Sequence, residues 1–315
     1  MRNPVSVGFK APQQHVAYER VLRLWQEGEE MAEFTHSWLF DHLDPVGAAP
    51  DGGAPGAGDP AGCLEAWTLL AALAARTSRL RLGVLVTANT LREPAVLAAM
   101  VSTVDHISGG RLDFGLGAGW HEAEHRARGL RLPPPGERLA RWAEACGLIR
   151  RLCAGEEVDF EGRYYRLRGA RLAPATVQRP CPPFVLGATG VRALAVVARH
   201  ADVWNTAAGL PGFAARLAAL RAHCEAQGRD PGTLAVSAQI PVDFAAPAAV
   251  RATAERFVAA GASHLVFELP TPWPVDALER LRREVVQRLS VDIQTQKSLL
   301  KRTDERSDLV NPRSS

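Results

Sequence analysis

Lysine is almost missing from this 315-residue chain: only Lys10, Lys297 and Lys301 occur, and arginine carries the rest of the positive charge. Against 34 acidic residues the 37 basic ones leave a net charge of +3, too small to recruit nucleic acid or an anionic membrane surface. Cysteine is sparse as well. Cys63, Cys146, Cys153, Cys181 and Cys224 are odd in number and form no Cys-x-x-Cys pair, which excludes a disulfide framework and points to buried thiols in a reduced, cytoplasmic compartment. No apolar run reaches transmembrane length, and Met1 to Val7 has no apolar leader core. No Gly-Lys-Ser/Thr follows a glycine-rich loop and no Gly-x-Ser-x-Gly occurs, so phosphate-loop and nucleophile-elbow chemistry are excluded. His121 and His125 stand in His-Glu-x-x-x-His rather than the zinc-binding His-Glu-x-x-His, and no metal site is expected.

What the chain does have is alternation. Short apolar runs at 5–9, 34–40, 80–86, 112–116, 184–188, 203–206, 234–242 and 264–269 read as strands. Stretches with helical spacing follow them at 17–33, 64–75, 94–104, 138–152, 191–200, 213–226, 248–260 and 275–289. Eight strand–helix units with apolar strands argue parallel pairing and predict a (β/α)8 TIM barrel over residues 1–290, with its active site at the carboxyl ends of the strands. The absence of Gly-x-Gly-x-x-Gly after the first strand counts against an open dinucleotide-binding sheet. Residues 154–183 form an insertion between the fourth helix and the fifth strand, with a hairpin signal at Val158 to Tyr165. Residues 44–62 are, apart from Val46, Gly, Pro, Ala and Asp and read as a mobile loop, either a lid or a plain connection. Residues 291–315 lack Ala and Gly and show no core-forming period, and a disordered tail is expected there.

The chain is organised around Gly109 to Trp120: a turn, a buried strand, then Gly117-Ala118-Gly119-Trp120 at a barrel mouth. Gly117 and Gly119, lacking Cβ, permit a sharp turn or the close approach of a flat ligand. Glu122 and Glu124 then open a helix, where acids pair with its positive end. His42, after Asp41 at the end of the second strand, stands where a barrel places proton-transfer groups, although a loop histidine is the alternative. Gly187-Ala188-Thr189-Gly190 leads into a helix whose free N–H groups suit a phosphate, or is an ordinary strand–helix turn. Lys10 ends the first strand and so also points toward the mouth, although a solvated lysine is the safer reading.

In order along the chain occur Phe40-Asp41-His42-Leu43, Leu80-Arg81-Leu82-Gly83, Arg92-Glu93-Pro94-Ala95, Ser108-Gly109-Gly110-Arg111-Leu112, Gly115-Leu116-Gly117-Ala118-Gly119-Trp120 and Ala198-Arg199-His200-Ala201-Asp202-Val203-Trp204-Asn205. Together they resemble the bacterial luciferase-like superfamily, in its branch of oxidoreductases that use the deazaflavin coenzyme F420, over roughly residues 5–290. The resemblance implies a (β/α)8 barrel with a non-proline cis peptide at or next to Leu85-Val86, backing the tricyclic ring. It implies that Thr87 to Asn89 line that ring, that Asp41 and His42 lie near it, and that Gly187 to Gly190 hold the cofactor phosphate. It further implies hydride transfer to or from a small organic substrate, and a homodimer. Trp120 stands where the sugar-phosphate dehydrogenases of this branch carry their acid, so the resemblance makes it a wall of the substrate pocket instead. An FMN-dependent monooxygenase using O2 and a partner flavin reductase has the same fold and is the alternative.

Overall fold

The computed structural model describes residues 4–46, 61–291 and 293. Eight parallel strands close on themselves. They are β1 (Ser6–Lys10), β2 (His36–Leu39), β3 (Arg81–Val84), β5 (Leu112–Gly117), β8 (Phe184–Gly187), β9 (Val203–Thr206), β10 (Ala235–Pro241) and β11 (His264–Glu268), and β11 pairs back onto β1. The two-residue strand β4 (Thr87–Ala88) continues from β3 and pairs with β5, and β6 (Val158–Glu161) and β7 (Arg166–Ala170) make the hairpin of the insertion. Around the barrel run α1 (Tyr18–Glu30), α2 (Ala66–Ala74), α3 (Pro94–Ser108), the short α4 (Glu122–Ala127), α5 (Pro135–Cys153), α6 (Val191–His200), α7 (Phe213–Ala226) and α8 (Pro247–Ala259). The expected last helix is broken: α9 (Ala277–Arg280) passes into a π turn at Leu281–Val285 and a 3-10 turn at Val286–Arg288.

Strand side chains alternate between two cores. Val7, Phe9, Leu39, Leu82, Phe114, Phe184, Trp204, Ile240 and Phe267 face outward and pack under the helices. Inside the barrel Trp38, Leu85, Val185 and Val266 form a small separate apolar cluster. The remaining interior is polar or glycine, and the glycines are there for space. A Cβ on Gly8 would lie 2.0 Å from His36 Nδ1, and one on Gly83 2.5 Å from the Trp38 ring. Large residues on β2 therefore occupy volume that their neighbours on β1 and β3 vacate.

The expected tail begins differently from its reading. Val291 and Ile293 pack against the core, and Ile293 bridges Val5 in parallel. Residue 292 and residues 294–315, like 47–60 of the glycine- and proline-rich loop, lie outside the described residues. Among the described residues no helix is long and apolar enough to cross a membrane, and no group of His, Cys, Asp or Glu is arranged to hold a metal ion.

Candidate active site

At the carboxyl ends of the strands a cavity of about 1130 Å³ opens. Its floor is built by the segment after β3, where the Leu85–Val86 peptide is cis and the chain bulges into the barrel before pairing again as β4. Three glycines receive this bulge. A Cβ on Gly115 would fall 1.9 Å from the Val84 carbonyl oxygen, one on Gly117 2.6 Å from Val86 Cγ2, and one on Gly187 3.0 Å from the same atom. Gly117 thus leaves room for a protein side chain, and it also lines the cavity. Gly119, at φ +81°, sits 2.1 Å (as a Cβ) from Thr90 Oγ1 and makes the sharp turn that a side chain would resist.

Asp41 and His42 both line the cavity but do different work. The Asp41 carboxylate is buried and fully engaged: Arg92 donates to both oxygens, at 2.7 and 2.9 Å, and the Ala88 N–H donates at 2.8 Å. Arg92 also pairs with Glu65, which caps α2 by accepting from Trp67 and Thr68. Asp41 therefore ties β2 to β4 and to the starts of two helices.

His42 is served by a residue 82 positions away. Glu124, on α4, places Oε2 at 3.3 Å from His42 Nδ1, while its Oε1 accepts from the backbone N–H groups of Leu43 and Asp44. Glu124 is almost wholly buried, so its carboxylate needs these donors. It stands in the first turn of α4, where an acid suits the helix dipole, and it also anchors the loop after β2. Burial lowers the affinity of His42 for a proton, and the Glu124 carboxylate opposes that. Cys63 adds a further tie, its Sγ donating to the His42 carbonyl at 3.0 Å. Trp120 stands 63% exposed at the rim, its ring centroid 5.5 Å from that of His42.

The other expected residues divide. Leu85, Val86, Thr87, Ala118 and Gly187 to Gly190 line the cavity. Thr87 turns its hydroxyl to the indole N–H of Trp67 at 3.2 Å. Asn89 is not among the lining residues: it is buried and donates to the Tyr165 hydroxyl at 3.1 Å, joining the insertion hairpin to the barrel. Gly190 caps the N-terminus of α6 at φ −85° with nothing within 4 Å of a Cβ there, so the helix opens onto free space.

Lys10 does point toward the mouth but is not solvated: it is 8% exposed, with Nζ 2.6 Å from Gln239 Oε1 and 2.9 Å from Glu268 Oε1. From there a hydrogen-bonded chain runs down the barrel interior: Gln239 Nε2 donates to Asn205 Oδ1 at 2.7 Å, Asn205 Nδ2 donates to Ser237 Oγ at 2.8 Å, and Ser237 Oγ lies 2.8 Å from His264 Nδ1. His264 stacks on His36 at 3.8 Å, and His36 Nδ1 accepts from Trp38 Nε1. Burial pushes the His264 imidazole down to about 4, and burial with the adjacent His264 takes His36 well below the usual histidine range. The signal for this ladder was present as polar residues at period two, Ser237 and Gln239 on one strand, but these lie inside an otherwise apolar run.

The family model described as luciferase-like monooxygenase matches residues 5–307, further than the motifs reached. An F420-dependent glucose-6-phosphate dehydrogenase of Kineococcus radiotolerans is 33% identical over 244 residues, 76% of this chain and 68% of the relative. One of Microbacterium testaceum is 34% identical over 66% of this chain and 58% of its own length. Among solved structures, the F420-dependent tetrahydromethanopterin reductase of Methanopyrus kandleri superposes with a TM-score of 0.74 at 19% identity, covering 91% of this chain and all of that one. An F420-dependent secondary alcohol dehydrogenase gives 0.77 at 18% identity, covering 90% and 98%. These two likenesses concern the fold. The family match and the curated relatives carry the assignment: the chain belongs to the luciferase-like monooxygenase family.

Proposed function

We propose that this protein is an oxidoreductase that binds coenzyme F420 at the barrel mouth and moves a hydride between it and a small organic substrate. The observation that carries the reading is the Leu85–Val86 bulge, received by Gly115, Gly117 and Gly187 and facing a cavity large enough for a tricycle and a substrate together. The curated relatives, named as F420-dependent enzymes, support the choice of cofactor.

The residues present fit that group. Val86 and Ala118 offer an apolar surface to a flat ring, and the first N–H groups of α6, which have no intrahelical acceptor, offer an anion site beside Thr189 and Gly190. The deazaflavin, when bound, supplies hydride acceptance and donation at one ring carbon. The protein supplies orientation and one proton. Glu124 accepts from His42 Nδ1, which leaves Nε2 as the basic nitrogen of a side chain that lines the cavity, ready to take or return the substrate's proton. Asp41, engaged by Arg92 and Ala88, positions the loop rather than exchanging protons. Trp120 walls the entrance. A homodimer and a cytoplasmic setting complete the reading, and the five free thiols support the latter.

The test is a titration of the purified protein with F420 and with FMN. Tight F420 binding is expected. Tight FMN binding with reductase-dependent oxygen uptake, and no F420 binding, would overturn the proposal in favour of a flavin monooxygenase.

A further inference from the structure

We propose that Lys10 is the specificity-determining residue of the substrate pocket: its ammonium donates a hydrogen bond to a neutral oxygen of the substrate, the carbonyl of a ketone or the hydroxyl of an alcohol. This rests on the function proposed above, since it takes the open space of the mouth as a substrate site.

An ammonium has three N–H donors. Gln239 and Glu268 engage Lys10 at 2.6 and 2.9 Å, and the side chain borders the cavity. The third donor has no acceptor among the described residues, and because the side chain borders the cavity it is open to a ligand there. The acceptor it lacks is of a particular kind. Glu268 already neutralises the charge, so the pair presents a directed N–H without surplus positive potential, which favours a neutral oxygen over a phosphate or carboxylate. The geometry is also fixed. Because Gln239 Oε1 faces Lys10, its amide nitrogen must face Asn205. The Asn205 amide nitrogen must in turn face Ser237, so every amide in the chain is oriented by its neighbour.

Position completes the argument. Going round the barrel, β10 stands four strands from β3 in either direction, so Gln239 lies across the mouth from the Leu85–Val86 bulge. Lys10, on β1, neighbours β2 and His42. A substrate anchored by its oxygen to Lys10 is held on the wall facing the bulge, with His42 just beyond the end of the adjoining strand.

Cyclohexanone is the probe, followed by ligand-observed NMR with and without F420, beside inorganic phosphate. Wild type is expected to bind the ketone, with its ¹³C carbonyl resonance downfield of the value in hydrocarbon, and to bind phosphate more weakly at this wall. Lys10→Met/Glu268→Gln, which removes both charges together, is expected to weaken ketone binding at least tenfold with F420 affinity changed less than twofold. Ketone binding equal to wild type in the double variant, no ketone binding by wild type, or phosphate bound more tightly than the ketone and lost with Lys10, would overturn the inference. The carbonyl shift is read on wild type, so the inference stays exposed even if the double variant does not fold: a bound carbonyl resonating as in hydrocarbon overturns it. Failure to bind F420 with Lys10-dependent ketone binding intact removes the function proposal alone, and F420 binding without it removes this inference alone.

Discussion

Glu124 Oε2 lies 3.3 Å from His42 Nδ1, joining the end of the second barrel strand to the short helix after the fourth. The carboxylate makes His42 a Nδ1–H tautomer and raises its proton affinity against the effect of burial. Glu124→Gln should reverse both. The amide oxygen still accepts from Leu43 and Asp44, so the amide nitrogen turns to His42 and forces the proton to Nε2. ¹⁵N NMR of the imidazole should show the tautomer switch and a lower titration midpoint, with turnover reduced about tenfold or more. An unaltered tautomer would detach Glu124 from the chemistry.

The opening of α6 gives a clean probe of anion binding. Gly190 has φ −85° and free space around its Cβ position, so Gly190→Asp leaves the fold intact. A carboxylate placed where a phosphate is expected should weaken F420 binding at least tenfold, or by about 1.4 kcal/mol. An unchanged dissociation constant in a folded variant would move the phosphate elsewhere.

The bulge depends on the glycines that receive it. Gly115→Ala puts a methyl 1.9 Å from the Val84 carbonyl oxygen in a fully buried strand, and should cost about 3 kcal/mol in urea denaturation. Gly136→Ala, in the first turn of α5 with nothing within 4 Å, is the control and should be neutral or stabilising by up to about 1 kcal/mol. Equal stabilities for the two variants would mean that the bulge shifts without penalty.

Acid should weaken the barrel through its interior histidines. The folded protein holds His264 near pKa 4, whereas the unfolded chain takes up that proton near 6.5. Between these values the unfolded state binds more protons, so stability is full above about pH 6.5 and falls as pH drops towards 4. Arg81 and Asp113 at the same end of the barrel pull in opposite directions, Arg81 disfavouring the imidazolium. The loss from His264 should amount to about 3 kcal/mol at most. Unfolding free energies at pH 7 and pH 5 should differ less in His264→Gln than in wild type, and an identical difference would assign the pH dependence to other groups.

The sequence by itself determined the barrel. Apolar runs of strand length separated by helical periods leave few ways to bury both strand faces, and eight such units close. It also located the cavity-lining turns, because glycine at 117, 119, 187 and 190 and the Asp41-His42 pair stand at strand ends, and strand ends form the mouth. What glycine at 115, 117 and 187 is for was decided only in three dimensions, by the Val84–Val86 bulge that fills the space beside them. The same holds for the partners of the polar groups. Asp41 is adjacent in sequence to His42 yet bonds Arg92, while His42 bonds Glu124, and Lys10 meets Gln239 at a separation of 229 residues. A buried charge must find a counterpart within hydrogen-bonding distance, but barrel closure, not chain order, determines which residue that is.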